Sequence, residues 1–300
     1  MKSSHVFQSS VMKNLYQKAK QIAQFSSAVV LEGESGVGKK TVAEWIHQNS
    51  GRANYPLLTV NCPALSEKMI DTELMGKERG KQPSVMEQAD KGTVVLHRID
   101  ELPYEFQGKM LDFIMECSKR KQVGSWTKTI DIRIIATTTF DLKQMVEEKR
   151  FRDDLYYTLH STKVRIPPLR ERREDIRPLL TFYLKQICKD LNLVKRFENE
   201  TFCILMNHSY PGNVRELRGL IEGLCITTIT EEICPQDLPE YLLLSQEKEN
   251  TSLEAQLQVL EKQVILQTLK NETSIRKAAK KLQISHATLL RKMQKLGIQY

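Results

Sequence analysis

The chain has 300 residues, 40% of them hydrophobic and 27% charged, with a formal net charge of +8. That length exceeds one typical domain and can bury a large core, and the composition is that of an ordinary globular chain. No apolar run approaches the roughly 20 residues a membrane helix needs, and MKSSHVFQSS at the start has no apolar h-region of a signal peptide. The expected location is therefore the cytoplasm, with no membrane partner.

The segment from Val11 to Phe25 has the spacing of an amphipathic helix. Ala28–Leu31 (AVVL) predicts a short buried strand, a glycine-rich turn begins at Gly33, and Thr41–His47 has helical spacing. Further strands are predicted at Leu57–Val60, Thr93–Leu96 and Ile132–Ala136, with helical stretches between them, notably Phe106–Cys117. This alternation predicts an α/β fold, a parallel sheet with helices on both faces. Past Pro167-Pro168 the pattern changes, and Asp175–Leu243 reads as helical throughout. Ser245–Ser252 is polar and reads as a linker. Leu253, Leu257, Leu260 and Val264 then recur at steps of four, three and four. That seam suits either a pair of helices or one helix packing on its own domain. Six cysteines (Cys62, Cys117, Cys188, Cys203, Cys225 and Cys234) form no C-x-x-C pair. They are read as small core hydrophobes rather than zinc ligands or a disulfide framework, and no metal-ligand cluster is assigned.

Gly33, Glu34, Ser35, Gly36, Val37, Gly38 and Lys39 fit the first seven positions of G-x-x-x-x-G-K-[ST]. In that pattern backbone N–H groups close around phosphate oxygens, the following helix directs its positive end at them, and the lysine reaches the β- and γ-phosphates. The expected ligand is ATP. The eighth position is Lys40, and Thr41 comes one residue late, so the usual hydroxyl ligand of magnesium is missing. Magnesium is accordingly left open.

At the other end, Asn271–Tyr300 carries seven bases (Arg276, Lys277, Lys280, Lys281, Arg291, Lys292 and Lys295) against the single acid Glu272. Such clustering suits a polyanion or a solvated basic surface. Ser274–Lys281 reads as a short helix, Gln283–Ser285 as a turn, and Ser285 as the N-cap of a helix over His286–Leu296 with Gly297 just past its end. Leu282, Ile284, Leu289, Leu290 and Leu296 are its expected apolar contacts. Two helices so joined form a helix-turn-helix, whose second helix enters the major groove of double-stranded DNA. His286, Ala287, Thr288 and Arg291 occupy its base-facing turns. Arg291 suits a guanine edge, and Ala287 or Thr288 a thymine methyl. Lys277, Lys280, Lys281, Lys292 and Lys295 are the expected phosphate contacts. A helical hairpin for protein docking is the competing reading.

The stretches GESGVGKK (33–40), TVNCPAL (59–65), EQADKGTVVL (87–96), DELP (100–103), DIRIIATTTFDL (131–142), FRDDLYYTL (151–159), IPPLRERREDI (166–176) and YPGNVREL (210–217) together resemble the AAA+ activators of sigma-54 RNA polymerase, the bacterial enhancer-binding proteins. The C-terminal pattern resembles their Fis-type domains. The resemblance implies an AAA+ α/β subdomain over 1–167 and a helical lid over 168–244. A linker over 245–252 and a helix-turn-helix domain over 253–300 follow. It implies that Arg215 contacts nucleotide, that Arg152 reaches the ATP of a neighbouring subunit, and that the chain forms a homo-oligomer, at least a dimer. Thr139 aligns with the polar sensor, and Thr158 stands where a second inter-subunit arginine is usual.

Two departures bear on activity. The family's strand-end acids, in a context like LFLDEIGELP, hold magnesium and activate water, and here His97 and Arg98 replace them in VVLHRIDELP. The sigma-contacting GAFTGA hexapeptide is missing from ELMGKERGKQPSVMEQA (73–89), which speaks against the sigma-54 form of RNA polymerase as the partner. The leading expectation is a sequence-specific DNA-binding regulator that binds ATP, hydrolyses it poorly or not at all, and has no catalytic residue assigned. Two alternatives stand beside it: an active ATPase that remodels sigma-54 polymerase, and an interaction protein that joins and modulates rings of a complete activator. No receiver or sensing domain precedes the AAA+ stretch, so control is expected in trans or through expression level.

Overall fold

The computed structural model describes residues 6–76, 83–117, 120–123, 126–160, 162–243, 261, 265, 268, 275–282 and 284–295. The predicted linker, and Leu253, Leu257, Leu260 and Val264 of the predicted seam, lie outside them. The chain divides into two compact units, residues 1–194 with 209–226, and residues 195–208 with 227–300.

In the first unit five parallel strands form a sheet in the order β2-β3-β6-β1-β7. They are β1 (Val29–Glu32), β2 (Leu57–Asn61), β3 (Thr93–His97), β6 (Arg133–Thr138) and β7 (Lys163–Arg165). Val29, Val30 and Leu31 are all buried, as expected for a central strand covered on both faces. The alternation of period two then divides two cores. Val30, Val94, Leu96, Ile134 and Ala136 pack with Met110, Phe113, Phe151 and Leu155 on one side. Val29, Leu31, Val95 and Ile135 pack with Leu15, Ala19, Val42 and Ile46 on the other. The first side is covered by α3 (Tyr104–Glu116), α4 (Leu142–Glu147) and α5 (Asp153–Leu159), the second by α1 (Ser10–Ala23) and α2 (Lys39–Gln48).

β1, β6 and β3 are neighbours, paired Val30↔Ala136 and Val95↔Ile135. Their carboxyl ends therefore lie side by side, and the loops that follow gather at one edge, where open α/β sheets bind ligands. The end of α1 is fixed by Arg133, whose buried guanidinium donates to the carbonyls of Ile22 (2.8 Å) and Ala23 (3.1 Å). These are C-terminal helix carbonyls with no partner inside the helix.

The predicted elements in this unit form with shifted ends. The N-terminal helix stops at Ala23, leaving Phe25 exposed. β7 was not expected: in KVR only Val164 is buried, and one apolar residue carries no visible alternation. An antiparallel hairpin, β4 (Arg120–Val123) with β5 (Trp126–Thr129), also falls in a stretch where no strand was predicted. The helix α6 (Ile176–Leu191) and most of α8 (Asn213–Thr227) belong to this unit.

The second unit corrects the expectation of helix alone before residue 243. Besides α7 (Asn199–Asn207), it contains β8 (Arg196–Phe197) and β9 (Glu232–Ile233), a parallel pair of two rungs too short to register as a pattern. Lys195 Nζ holds the same turn by donating to the carbonyls of Thr228 and Thr230, both at 2.6 Å. At its C-terminal end stand α9 (Ile275–Lys281) and α10 (His286–Lys295). None of the six cysteines forms a disulfide, and Cys62, Cys117 and Cys225 are buried as expected, with burial pushing the Cys62 thiol up to about 12. Cys203 is exposed and Cys188 and Cys234 are half-buried, so those three are not core residues. Among the described residues no helix is long and apolar enough to cross a membrane.

Candidate functional site

β1 delivers the chain into the loop Gly33–Gly38. Two positions need left-handed backbone, Gly36 (φ +80°) and Gly38 (φ +104°), which glycine adopts at no steric cost. Gly38 is the N-cap of α2 and no side chain caps it, so the first-turn N–H groups have no capping side chain and are open to a phosphate. Lys39 Nζ donates to the carbonyls of Gly33 and Glu34 (3.0 Å), which holds the amine inside the loop. Desolvation lowers its pKa, with Asp100 opposing. Lys40 points outward from α2 toward Glu44, 3.9 Å away.

The loop is fixed from behind by the turn that starts α8. A Cβ on Gly36 would lie 2.2 Å from the Gly212 carbonyl oxygen, and Val214 N–H donates to the Gly36 carbonyl at 3.1 Å. Asn213, itself at φ +55°, spans the junction. Its Oδ1 accepts the Leu169 N–H at 2.7 Å, while its Nδ2 donates to the Ser35 carbonyl (3.0 Å) and to Glu34 Oε2 (3.1 Å). Arg215 Nη1 donates to Ser35 Oγ at 2.9 Å. Sequence reading did not single out Asn213, although it lies inside the PGNVREL stretch.

The loop side chains divide accordingly. Val37 is buried in the core against α2, and Glu34 is held by Arg170 (2.8 and 2.5 Å), whose hydrogen bonds bring its carboxyl down to about 2. Neither side chain lines the cavity, so Glu34 and Val37 can serve a nucleotide only through their backbone.

The cavity beside the loop measures about 580 Å³. Ser35, Gly36, Gly38, Lys39 and Lys40 line it from the loop and the start of α2, His97, Arg98 and Thr139 form another wall from the ends of β3 and β6, and Arg215 and Arg218 add two more cations. Tyr183 and Val214 give it an apolar side against which a base can lie. On this strand-end wall His97 ends β3 and Arg98 takes a left-handed backbone (φ +58°). Both are anchored by Thr137 Oγ1, which lies 3.2 Å from His97 Nδ1 and accepts the Arg98 N–H at 3.0 Å. Desolvation first, then Lys39 and Arg98, lower the His97 pKa, so the imidazole is neutral at neutral pH. The Arg98 guanidinium pairs with Glu101. Asp100 is buried beneath this wall: Oδ2 accepts the Thr139 N–H at 3.2 Å, and Oδ1 has no hydrogen-bond partner.

Triphosphate chemistry fits the loop wall, with its N–H cradle, Lys39 and Arg215. A bound magnesium does not fit the other wall, because among the described residues no carboxylate lines the cavity. Arg152 lies away from these lining residues, at the N-terminus of α5. Its N–H donates to Gln107 Oε1 at 2.8 Å, and its guanidinium grips Asp154 through two bonds of 3.0 and 2.7 Å. Thr158 Oγ1 donates to the Asp154 carbonyl.

In the second unit, Ser285 Oγ accepts the Thr288 N–H at 3.0 Å and caps α10. Leu289 and Met293 pack with Ile265, Ala278 and Ala279, joined by Ile275, Leu282 and Ile284. His286, Arg291, Lys277 and Lys281 are exposed. Thr288 is half-buried with its hydroxyl 2.7 Å from Ser285 Oγ, and Lys292 pairs with Glu261. The side chains of Lys280, Ala287, Leu290 and Lys295, and all of Leu296 and Gly297, lie outside the described residues.

Comparison with known proteins agrees with this geometry. Residues 5–165 match the sigma-54 interaction domain, 170–255 the AAA+ ATPase lid domain, and 250–299 a helix-turn-helix domain. The nitrogen fixation protein AnfA of Azotobacter vinelandii is 34% identical across 99% of this chain and 58% of its own length. The DNA-binding transcriptional activator HyfR of Escherichia coli K12 is 34% identical across 98% of this chain and 47% of its own. This chain thus spans about half the length of these relatives. A solved structure of NtrX from Brucella abortus in complex with ATP superimposes with a TM-score of 0.71, at 29% identity, over 98% of this chain and 69% of that one.

Proposed function

The chain belongs to the sigma-54 interaction family of AAA+ transcriptional regulators, and from that premise we propose that it is a cytoplasmic, sequence-specific DNA-binding regulator whose AAA+ part binds ATP and turns it over poorly or not at all. The observation that carries the second half is the strand end that shares the cavity with the phosphate loop. Hydrolysis needs a group that polarises the attacking water and a metal that neutralises developing charge. His97 and Arg98 stand where those acids would be, anchored by Thr137. An ATP complex in the related NtrX structure and the cation-lined loop wall support binding. Glu34, Ser35, Val37 and the three glycines would act through backbone N–H groups, and Lys39, Lys40 and Arg215 through side-chain charge.

Within this reading the division at residues 167, 244 and 252 is retained. Arg152 is placed at a subunit interface of a homo-oligomer, with RNA polymerase as the downstream partner class. The helix-turn-helix would put α10 in the major groove, with the exposed His286 and Arg291 toward base edges.

Titration calorimetry with ATP, alongside a phosphate-release assay, tests the nucleotide half. ATP binding that Lys39→Ala weakens about ten- to a hundred-fold is expected, with release at background. Release that is robust and lost in Lys39→Ala would restore the active-ATPase reading. For the DNA half, Arg291→Ala should cost about 1–3 kcal/mol at one base position. Lys277→Ala should weaken all sequences alike and flatten the salt dependence. Anisotropy on cognate and scrambled duplexes across a salt series separates them, and an Arg291→Ala protein with unchanged discrimination would refute the assignment.

A further inference from the structure

We propose that Arg98 takes the place of the divalent cation, so that this pocket holds the triphosphate of a nucleotide without magnesium. The inference rests on the ATP-binding reading and concerns what neutralises the phosphates there. In a phosphate-loop site the metal is held by a hydroxyl just after the loop lysine and by a strand-end acid, together with phosphate oxygens and water. Here the first position is Lys40, and the strand end offers His97 and Arg98. Both protein ligand positions are basic. Among the described residues no three of His, Cys, Asp and Glu come together where they could share a metal. Asp100 does not supply the missing acid: it is buried beneath the wall, accepts the Thr139 N–H, and does not line the cavity.

The cavity is instead lined by five basic residues, Lys39, Lys40, Arg98, Arg215 and Arg218. Arg98 is the one among them that the end of β3 supplies, where the family's acid would hold the metal. Its backbone is held at φ +58° with its N–H on Thr137 Oγ1, which fixes where the side chain departs. Its side chain is 45% exposed and, among the described residues, pairs with Glu101. A pair so exposed is weak, and a triphosphate offers guanidinium an equally bidentate partner of higher charge. Phosphate can therefore displace Glu101. A guanidinium neutralises phosphate charge but cannot coordinate water and lower its pKa. Binding without turnover follows from the same residue.

Calorimetry of the intact chain with ATP, in EDTA and in magnesium, decides the matter. The wild type should bind equally well in both, within about threefold. In EDTA, Arg98→Gln should lose about ten- to a hundred-fold in affinity while keeping its thermal unfolding midpoint. Arg98→Glu should bind only when magnesium is supplied. Glu101→Gln, which releases Arg98, should tighten ATP a few-fold in EDTA. Wild-type binding that needs magnesium, or a folded Arg98→Gln protein with undiminished affinity in EDTA, overturns this inference and leaves ATP binding standing. No ATP binding in either medium overturns the ATP reading and this inference with it.

Discussion

The two walls of the nucleotide cavity have been treated differently by the sequence. On the loop wall everything that shapes a phosphate cradle is in place: left-handed glycines at 36 and 38, an open start to α2, and Lys39 turned inward. On the strand-end wall the backbone is equally well held, by Thr137 and by the Asp100–Thr139 bond, yet the side chains it presents are a neutral imidazole and a guanidinium. The difference separates two requirements. Gripping a polyanion needs donors and positive charge, which both walls supply. Activating water needs a base and a metal, and neither wall presents a carboxylate among the described residues.

The sharpest way to break this contrast is on the loop side. Gly36→Ala adds a Cβ 2.2 Å from the Gly212 carbonyl oxygen at φ +80°, so it meets backbone and strain together. It should cost about 3 kcal/mol or more in denaturant unfolding and reduce ATP affinity more than about a hundred-fold. Gly38→Ala, at φ +104° but with nothing within 4 Å, meets strain alone and should cost about 1–3 kcal/mol. Equal losses at the two sites would show that the clamp on Gly36 does not matter.

On the other wall, the double change His97→Asp with Arg98→Glu should raise ATP-dependent phosphate release at least about tenfold over background, in the lower range of what a positioned acid–base group contributes. A folded double variant that binds ATP and stays at background would mean that more than the side chains was lost.

A smaller effect is expected where the loop meets α8. Asn213→Ala leaves the Leu169 N–H and the Ser35 carbonyl without partners and puts alanine at φ +55°. Denaturant unfolding should show a loss of about 2 kcal/mol, with ATP affinity falling as a consequence.

The smallest effect concerns Glu34. Its carboxyl is depressed from 4.5 to about 2 by Arg170, so the pair's stabilisation is complete above about pH 4.5 and disappears as the pH falls through about 2. Both partners are well exposed, so the contribution stays below about 1 kcal/mol. Glu34→Gln should remove this slope between those pH values, and an unchanged acid profile would argue against the pairing.

The loop was legible because its signal is local: seven contiguous residues set the glycines, the helix start and the lysine. The strand-end change was legible through family resemblance, since His97 and Arg98 stand between recognisable flanks. The supports were not. Asn213 touches Glu34 and Ser35 from almost 180 positions away, and Thr137 anchors residues some forty positions earlier. Periodicity does not report contacts of that range. Nor does a loop pattern tell which side chains face the ligand. Glu34 and Val37 belong to the motif, but one turns to Arg170 and the other into the core.

By itself the sequence determined the α/β class, the family, the phosphate loop and the capped helix after Ser285, because each rests on hydrophobic period, glycine placement or a single capping residue within a few positions. The tertiary structure alone decided that the Gly212–Arg215 turn closes the back of the loop and that Thr137 fixes both replacements at the strand end. It also decided that Asp100 is buried on the Thr139 N–H while Arg98 lines the same cavity as the phosphate loop. Those outcomes depend on which strands are neighbours in the sheet, and a parallel order of β3-β6-β1 brings together chain ends that no local pattern relates.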